Sequence, residues 1–153
     1  MSNTQHATRA CLPLILSVLL AAAGCSPQSG GDAAGDAPAA PADPVMARGE
    51  AVYYANCVAC HLPGGTGLEG AFPPLAGSDY LTGDPGRVIA TVLYGNEGPI
   101  TVNGVQYNGV MPGFAYLTDD EVAAVVTYIM RSWGNDLPGV GPEDVAAART
   151  PPE

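Results

Sequence analysis

Cys57-Val58-Ala59-Cys60-His61 is the stretch from which the rest of this 153-residue chain is read. C-x-x-C-H is the attachment signature of c-type haem. Two thiols add across the two vinyl groups of the porphyrin, and a two-residue gap lets one turn of chain present both sulfurs to one haem edge. The histidine that follows lies under the iron, where its imidazole can be the proximal ligand. A bare C-x-x-C also occurs as a zinc half-site or a redox dithiol. Zinc needs about four ligands, commonly from a second Cys or His pair. The only other cysteines are Cys11 and Cys25, and the only other histidine is His6. All three lie in a targeting segment. A thioredoxin-like dithiol needs alternating strands and helices around it, and the chain has no such pattern.

A sixth iron ligand must come from elsewhere. With His61 the only histidine after the targeting segment, a bis-histidine haem cannot form within one mature chain. There are four methionines. Met1 is lost, Met46 precedes the motif too closely to reach the opposite haem face, and Met130 falls inside an apolar helical run, where methionine is ordinary core filler. Met111 sits between Gly109 and Pro112-Gly113, fifty residues after His61. Its thioether is a soft, neutral donor that favours ferrous iron. The alternative is an open or water-bound sixth site.

These residues resemble a class I, monohaem cytochrome c. Gly49 and Tyr53 stand eight and four residues before Cys57, as in the family's amino-terminal helix, where they meet the carboxy-terminal helix. Phe72-Pro73-Pro74-Leu75 resembles the family segment after the haem site. The resemblance implies that the Pro73 carbonyl accepts the free N–H of His61 and that Leu75 packs on the ring. A ligating histidine generally has such an acceptor, which fixes its tautomer. Residues 99–135, PITVNGVQYNGVMPGFAYLTDDEVAAVVTYIMRSWGN, are more specific. They resemble cytochrome c subunits and domains that accompany bacterial quinoprotein alcohol dehydrogenases, copper nitrite reductases and terminal oxidases.

Local signals agree with that fold. Asp43-Pro44 and Asp84-Pro85 are helix starts, an N-cap acceptor followed by proline at the first helical position. Glycine inside a helix costs about 1 kcal/mol relative to alanine, so Gly49 implies a second helix crossing there. Val88, Ile89, Val92 and Leu93 form one apolar stripe to about Tyr94. Residues 99–107 alternate around Asn103-Gly104, a hairpin-turn signal. Thr118-Asp119-Asp120-Glu121 is a capping box. Val122, Val125, Val126, Ile129 and Trp133 follow at helical spacing, and Gly134 ends the run. The expectation is an all-α cytochrome c fold, with three main helices around one covalently bound haem c and a short β-hairpin insertion. A domain of roughly ninety residues is marginal for an independent apolar core, and the haem makes up the deficit.

Around residues 45–135, the cytochrome c domain, the chain is organised for export. Residues 1–24 form a signal peptide: an apolar run, Leu12 to Ala23, too short for a comfortable membrane span and followed by small residues. Ala22-Ala23-Gly24-Cys25 resembles a bacterial lipobox, so Cys25 is the expected lipid attachment site, although Ala22 stands where leucine is usual. The other reading is an ordinary signal peptidase site and a soluble periplasmic protein. Residues 25–44 are a linker of Ala, Gly, Pro, Ser and Asp that cannot bury a core. The nineteen residues 26–44, as flexible coil, reach about 25 Å root-mean-square. Residues 136–153 are a Pro- and Gly-rich tail in which 142–149 can form one short helical turn.

All 15 acids lie after the signal, and four arginines against them leave a mature net charge of −11, with no lysine. Such a surface excludes nucleic acid as a partner and disfavours anionic lipid. It suits redox partners with a basic docking patch, such as a dehydrogenase, nitrite reductase or terminal oxidase. Solubility alone also explains the charge. The expected function is one-electron transfer on the periplasmic side of a bacterial membrane, the electron leaving through the haem edge near the cysteines. The competing expectation is a peroxidase-like haem enzyme or ligand-binding sensor with a labile Met111.

Overall fold

A computed structural model describes residues 43–149. The signal peptide, Cys25 and nearly all of the linker lie outside the described residues. Among the described residues no helix is long and apolar enough to cross a membrane.

Helix α1 (Pro44–Asn56) starts where Asp43 accepts a hydrogen bond from the Val45 amide at 2.9 Å, with Pro44 in the first turn. It packs across α4 (Asp119–Arg131). Gly49 is the crossing point. A Cβ there would sit 2.6 Å from the Tyr128 Cβ and collide with the Ala124 carbonyl, so only glycine lets the two backbones approach this closely. One turn on, Tyr53 is fully buried. Its ring meets Trp133 at 5.0 Å and Tyr128 at 5.6 Å, and Trp133 meets Tyr128 at 5.4 Å. Centroid separations of this size are those of favourable tilted and edge-on aromatic pairs.

Helix α4 starts with the capping box: Thr118 Oγ1 accepts from the Glu121 amide, and the Glu121 carboxylate accepts from the Thr118 amide at 2.9 Å. Every residue from Val122 to Met130 is buried. That exceeds the single apolar stripe read from the sequence. The extra burial has two sources. Small residues such as Ala124 face the close α1 crossing, and α5 (Pro142–Arg149) covers a further face. The region expected to hold one short helical turn is thus an eight-residue helix packed on α4 and on the helix at Pro85–Tyr94, with Val145 fully buried in the common core. Helix α4 also stops earlier than the spacing suggested. Ser132 is extended and Trp133 has φ +54, which turns its indole back onto Tyr53.

Helix α3 (Pro85–Tyr94) is capped by Asp84, whose carboxylate accepts from the Gly86 amide, and buries Val88, Ile89, Val92 and Leu93. The hairpin is present as β2 (Ile100–Val102) against β3 (Val105–Tyr107), with positive φ at both Asn103 and Gly104, the geometry of a tight primed turn. Asn103 ties the hairpin tip to a short 3-10 turn at Asp79–Leu81: its amide donates to Asp79 Oδ1 and its Oδ1 accepts from the Asp79 amide. A second ladder was not foreseen. β1 (Asn96–Glu97) pairs antiparallel with β4 (Val110–Met111), Asn96 opposite Met111. Two residues a side are too few to leave an alternating pattern. The fold is α-rich with two small two-stranded sheets.

Candidate haem site

Cys57 closes α1, its amide donating to Tyr53 O at 2.8 Å. The chain then makes one further turn, α2 (Val58–His61). The amides of Cys60 and His61 both donate to Cys57 O, at 3.2 and 3.0 Å. This turn brings Cys57, Cys60 and His61 into the lining of one cleft. The two cysteines form no disulfide. Burial, and secondarily Cys60, pushes the Cys57 thiol up to about 11, so it stays protonated at neutral pH. Among the described residues no three Cys, His, Asp or Glu side chains cluster as metal ligands, so the zinc reading lacks its second ligand pair.

His61 is buried, and burial lowers its pKa, opposed by a backbone contact with Pro73. Its Nδ1 lies 3.0 Å from the Pro73 carbonyl. A carbonyl can only accept, so Nδ1 carries the proton and Nε2 keeps its lone pair for a metal. The loop that presents Pro73 closes through Gly67, whose amide donates to His61 O at 3.0 Å. A Cβ on Gly67 would lie 2.6 Å from the Pro73 carbonyl oxygen. Leu75 is half-buried against the core and lines the cleft, and its amide donates to Gly65 O at 2.7 Å.

Met111 lines the same cleft from the segment after β3. Two glycines seat that segment on the end of α3. A Cβ on Gly95 would collide with the Met111 carbonyl, and one on Gly113 would lie 2.7 Å from the Leu93 carbonyl oxygen. Phe114 then donates its amide to Val92 O at 2.9 Å.

The cleft opens to solvent at its mouth and holds a cavity of about 130 Å³. Leu81, Val88, Val92, Val102, Phe114 and Ile129 form much of its wall. Protein interiors hold few voids larger than a water molecule. An apolar cleft of this kind is incompletely packed by the chain alone and suits an apolar filler. Two thiols, an imidazole with a free Nε2 and a thioether line it, a donor set that suits an iron porphyrin bearing reactive vinyl groups. The residues present fit covalently bound haem c.

Three positioning contacts were not read from the sequence. Tyr53 donates its hydroxyl to Leu62 O at 2.7 Å, tying the residue after the motif to α1. Asn135 Nδ2 donates to Leu75 O at 2.9 Å and to Ile129 O at 2.8 Å, while its Oδ1 accepts from the Gly77 amide. It clips the haem loop to the end of α4. Tyr116 donates its hydroxyl to Asn56 Oδ1 at 2.7 Å, linking the stretch after Met111 to α1. The only sequence trace of the second is an Asn after a helix-ending Gly. The other two have none, because their partners lie 9 and 60 residues apart.

Comparison with known proteins gives relatives throughout this region. Residues 44–129 match the family described as cytochrome C oxidase, cbb3-type, subunit III. Cytochrome c-552 of Thermus thermophilus is 48% identical over 89 residues, which is 56% of this chain and 68% of that protein. The cytochrome c subunit of alcohol dehydrogenase (quinone) from Gluconobacter oxydans is 41% identical over 105 residues, 67% of this chain but 22% of that subunit. The gluconate 2-dehydrogenase cytochrome c subunit of Pantoea cypripedii is 38% identical over 105 residues, 66% of this chain and 24% of that subunit. The chain thus spans about a quarter or less of these dehydrogenase subunits. Matched over more than half of its length, the chain belongs to the c-type cytochromes, electron-transfer proteins with covalently bound haem c, in the family described as cytochrome C oxidase, cbb3-type, subunit III.

Proposed function

We propose that this cytochrome is a one-electron carrier between periplasmic or membrane redox partners, in which Cys57 and Cys60 would attach the haem and His61 and Met111 would ligate its iron. The observation that carries this reading is a single apolar cleft whose lining includes all four side chains, with the Nδ1 of His61 already engaged by Pro73. Haem supplies a one-electron iron(III)/iron(II) couple when bound. The chain's own residues do the rest. The His61–Pro73 hydrogen bond orients the imidazole and raises its basicity. The Met111 thioether would favour the reduced state and would keep exogenous ligands from the iron. Leu75 and the aliphatic wall exclude water, which limits reorganisation on electron transfer.

The partner fits the charge. A mature net charge of −11 favours fast, weak encounters with a basic docking patch. Phe72 and Val110 line the cleft and leave apolar surface exposed for that contact. Relatives named as cytochrome subunits of alcohol and gluconate dehydrogenases support a dehydrogenase as the electron donor, and a family described as a cytochrome C oxidase subunit supports a terminal oxidase as the acceptor. The remaining organisation is part of the same proposal: a signal peptide over 1–24, lipid on Cys25, a tether over 25–44 and the haem domain over 45–135. Carbon monoxide tests the carrier reading. The native ferrous protein is expected not to bind it rapidly, because Met111 holds the sixth position. Rapid binding would favour an enzyme or sensor with an open site.

A further inference from the structure

Helix α5 lies beyond the family match, which ends at residue 129, and the electron-transfer reading gives it no task. Its final residue, Arg149, reaches the stretch that joins Met111 to α4. Arg149 Nη1 donates to Ala115 O at 2.9 Å, Nη2 donates to Leu117 O, and Nε donates to Asp119 Oδ1 at 2.7 Å. One guanidinium thus ties three alternate residues of a five-residue stretch. We infer that Arg149 is a positioning residue for Met111, a latch by which α5 holds the 112–118 segment closed over the haem cleft. The inference rests on the reading of Met111 as axial ligand.

Three observations support the latch. First, Ala115 and Tyr116 are exposed, between Phe114, half-buried against the core, and Leu117, buried in it. Phe114 is anchored by its amide on Val92 O, and Leu117 closes a turn onto Phe114 O. Tyr116 is 72% exposed, its hydroxyl donating to Asn56 and its ring lying edge-on to Phe114 at 6.1 Å. Second, α5 is a fixed base for the arginine. Val145 is fully buried, and Tyr94 donates its hydroxyl to Ala148 O at 3.2 Å. Third, the contact differs from an ordinary surface ion pair, which contributes little. Two of its three bonds run to backbone carbonyls, and the Asp119 and Leu117 bonds are partly buried. A planar fork of donors suits this arrangement, and a lysine's single ammonium cannot reproduce it.

The test uses the full-length, haem-loaded ferric protein with two readouts. One is the rate at which added imidazole displaces the sixth ligand. The other is native-state hydrogen exchange at the Leu117 amide. Arg149→Ala is expected to raise both about tenfold, the size of one charge-assisted hydrogen bond. Arg149→Lys is expected to fall between that variant and wild type. Val126→Ala, a core truncation on α4, is expected to lower the melting temperature and leave both rates unchanged. The latch is overturned if Arg149→Ala leaves Leu117 exchange unchanged, or if Val126→Ala accelerates imidazole entry as much as Arg149→Ala does. If wild type lacks the Met-sulfur absorption band, the Met111 assignment fails on its own, and Leu117 exchange still decides the latch.

Discussion

Gly67 has no side chain because the carbonyls of Phe72 and Pro73 occupy the space where one would sit. Its φ of +60 is left-handed, a region other residues enter at a cost of about 1–2 kcal/mol. Gly67→Ala therefore combines backbone strain with displacement of the Pro73 carbonyl. The expected outcome is a stability loss of about 1–2 kcal/mol or more. It should come with a rise in reduction potential, because an imidazole whose Nδ1–H has lost its acceptor is a weaker donor to iron. Denaturation and potentiometry on the same sample check both. An unchanged potential would show that Pro73 does not tune His61. At this scale the sequence was informative where chemistry dictates spacing. Cys57, Cys60 and His61 are read from five consecutive residues. Arg149 was invisible, since nothing local marks an arginine whose partners lie about thirty residues earlier.

Among the elements, the α1–α4 crossing and the start of α4 lend themselves to test. Gly49→Ala forces a methyl group into Ala124 and Tyr128. Overpacking of this kind costs about 1–3 kcal/mol, and here it is expected as a lower melting temperature with spectra of the haem little changed. Thr118→Ala removes the N-cap and is expected to cost about 1 kcal/mol. The cap also has a pH signature. Hydrogen bonds from the Thr118 backbone and hydroxyl hold the Glu121 carboxyl below its ordinary value. A depressed carboxylate contributes stability above its unfolded pKa, about 4.3, and loses it as pH falls through the folded value. Glu121→Gln is therefore expected to destabilise at neutral pH and to converge with wild type in acid. A constant difference across that window would contradict the cap. Helix starts were legible because their chemistry is local: Asp-Pro twice and one capping box. The end of α4 was not. Trp133 continues the apolar spacing, yet takes φ +54 because its ring is drawn onto Tyr53 and Tyr128. A left-handed tryptophan costs of order 1–3 kcal/mol, which aromatic packing on this scale can offset. The β1–β4 ladder, two residues a side, left no period to read.

Across the whole molecule, the helices and loops line a solvent-open cleft with aliphatic walls, so their packing is incomplete without the cofactor. The doubly substituted Cys57→Ser/Cys60→Ser chain, expressed without haem, is expected to keep helical far-ultraviolet dichroism and lose near-ultraviolet signals from Tyr53, Tyr128 and Trp133. A haem-free chain with native near-ultraviolet dichroism would show that the core stands alone. The global architecture was legible to the extent that helices α1, α3 and α4 announce themselves and a C-x-x-C-H needs a haem around which to pack them. The role of α5 was not, because a weakly patterned stretch gains its helix from burying Val145 in a core the other elements build. The central claim is that His61 and Met111 both hold the iron. It is tested most directly by the ferric absorption spectrum of wild type beside Met111→Ala. The expected result is a weak Met-sulfur charge-transfer band in wild type, lost in Met111→Ala together with a fall in reduction potential. A wild-type spectrum without that band, or a band that survives in Met111→Ala, would contradict it.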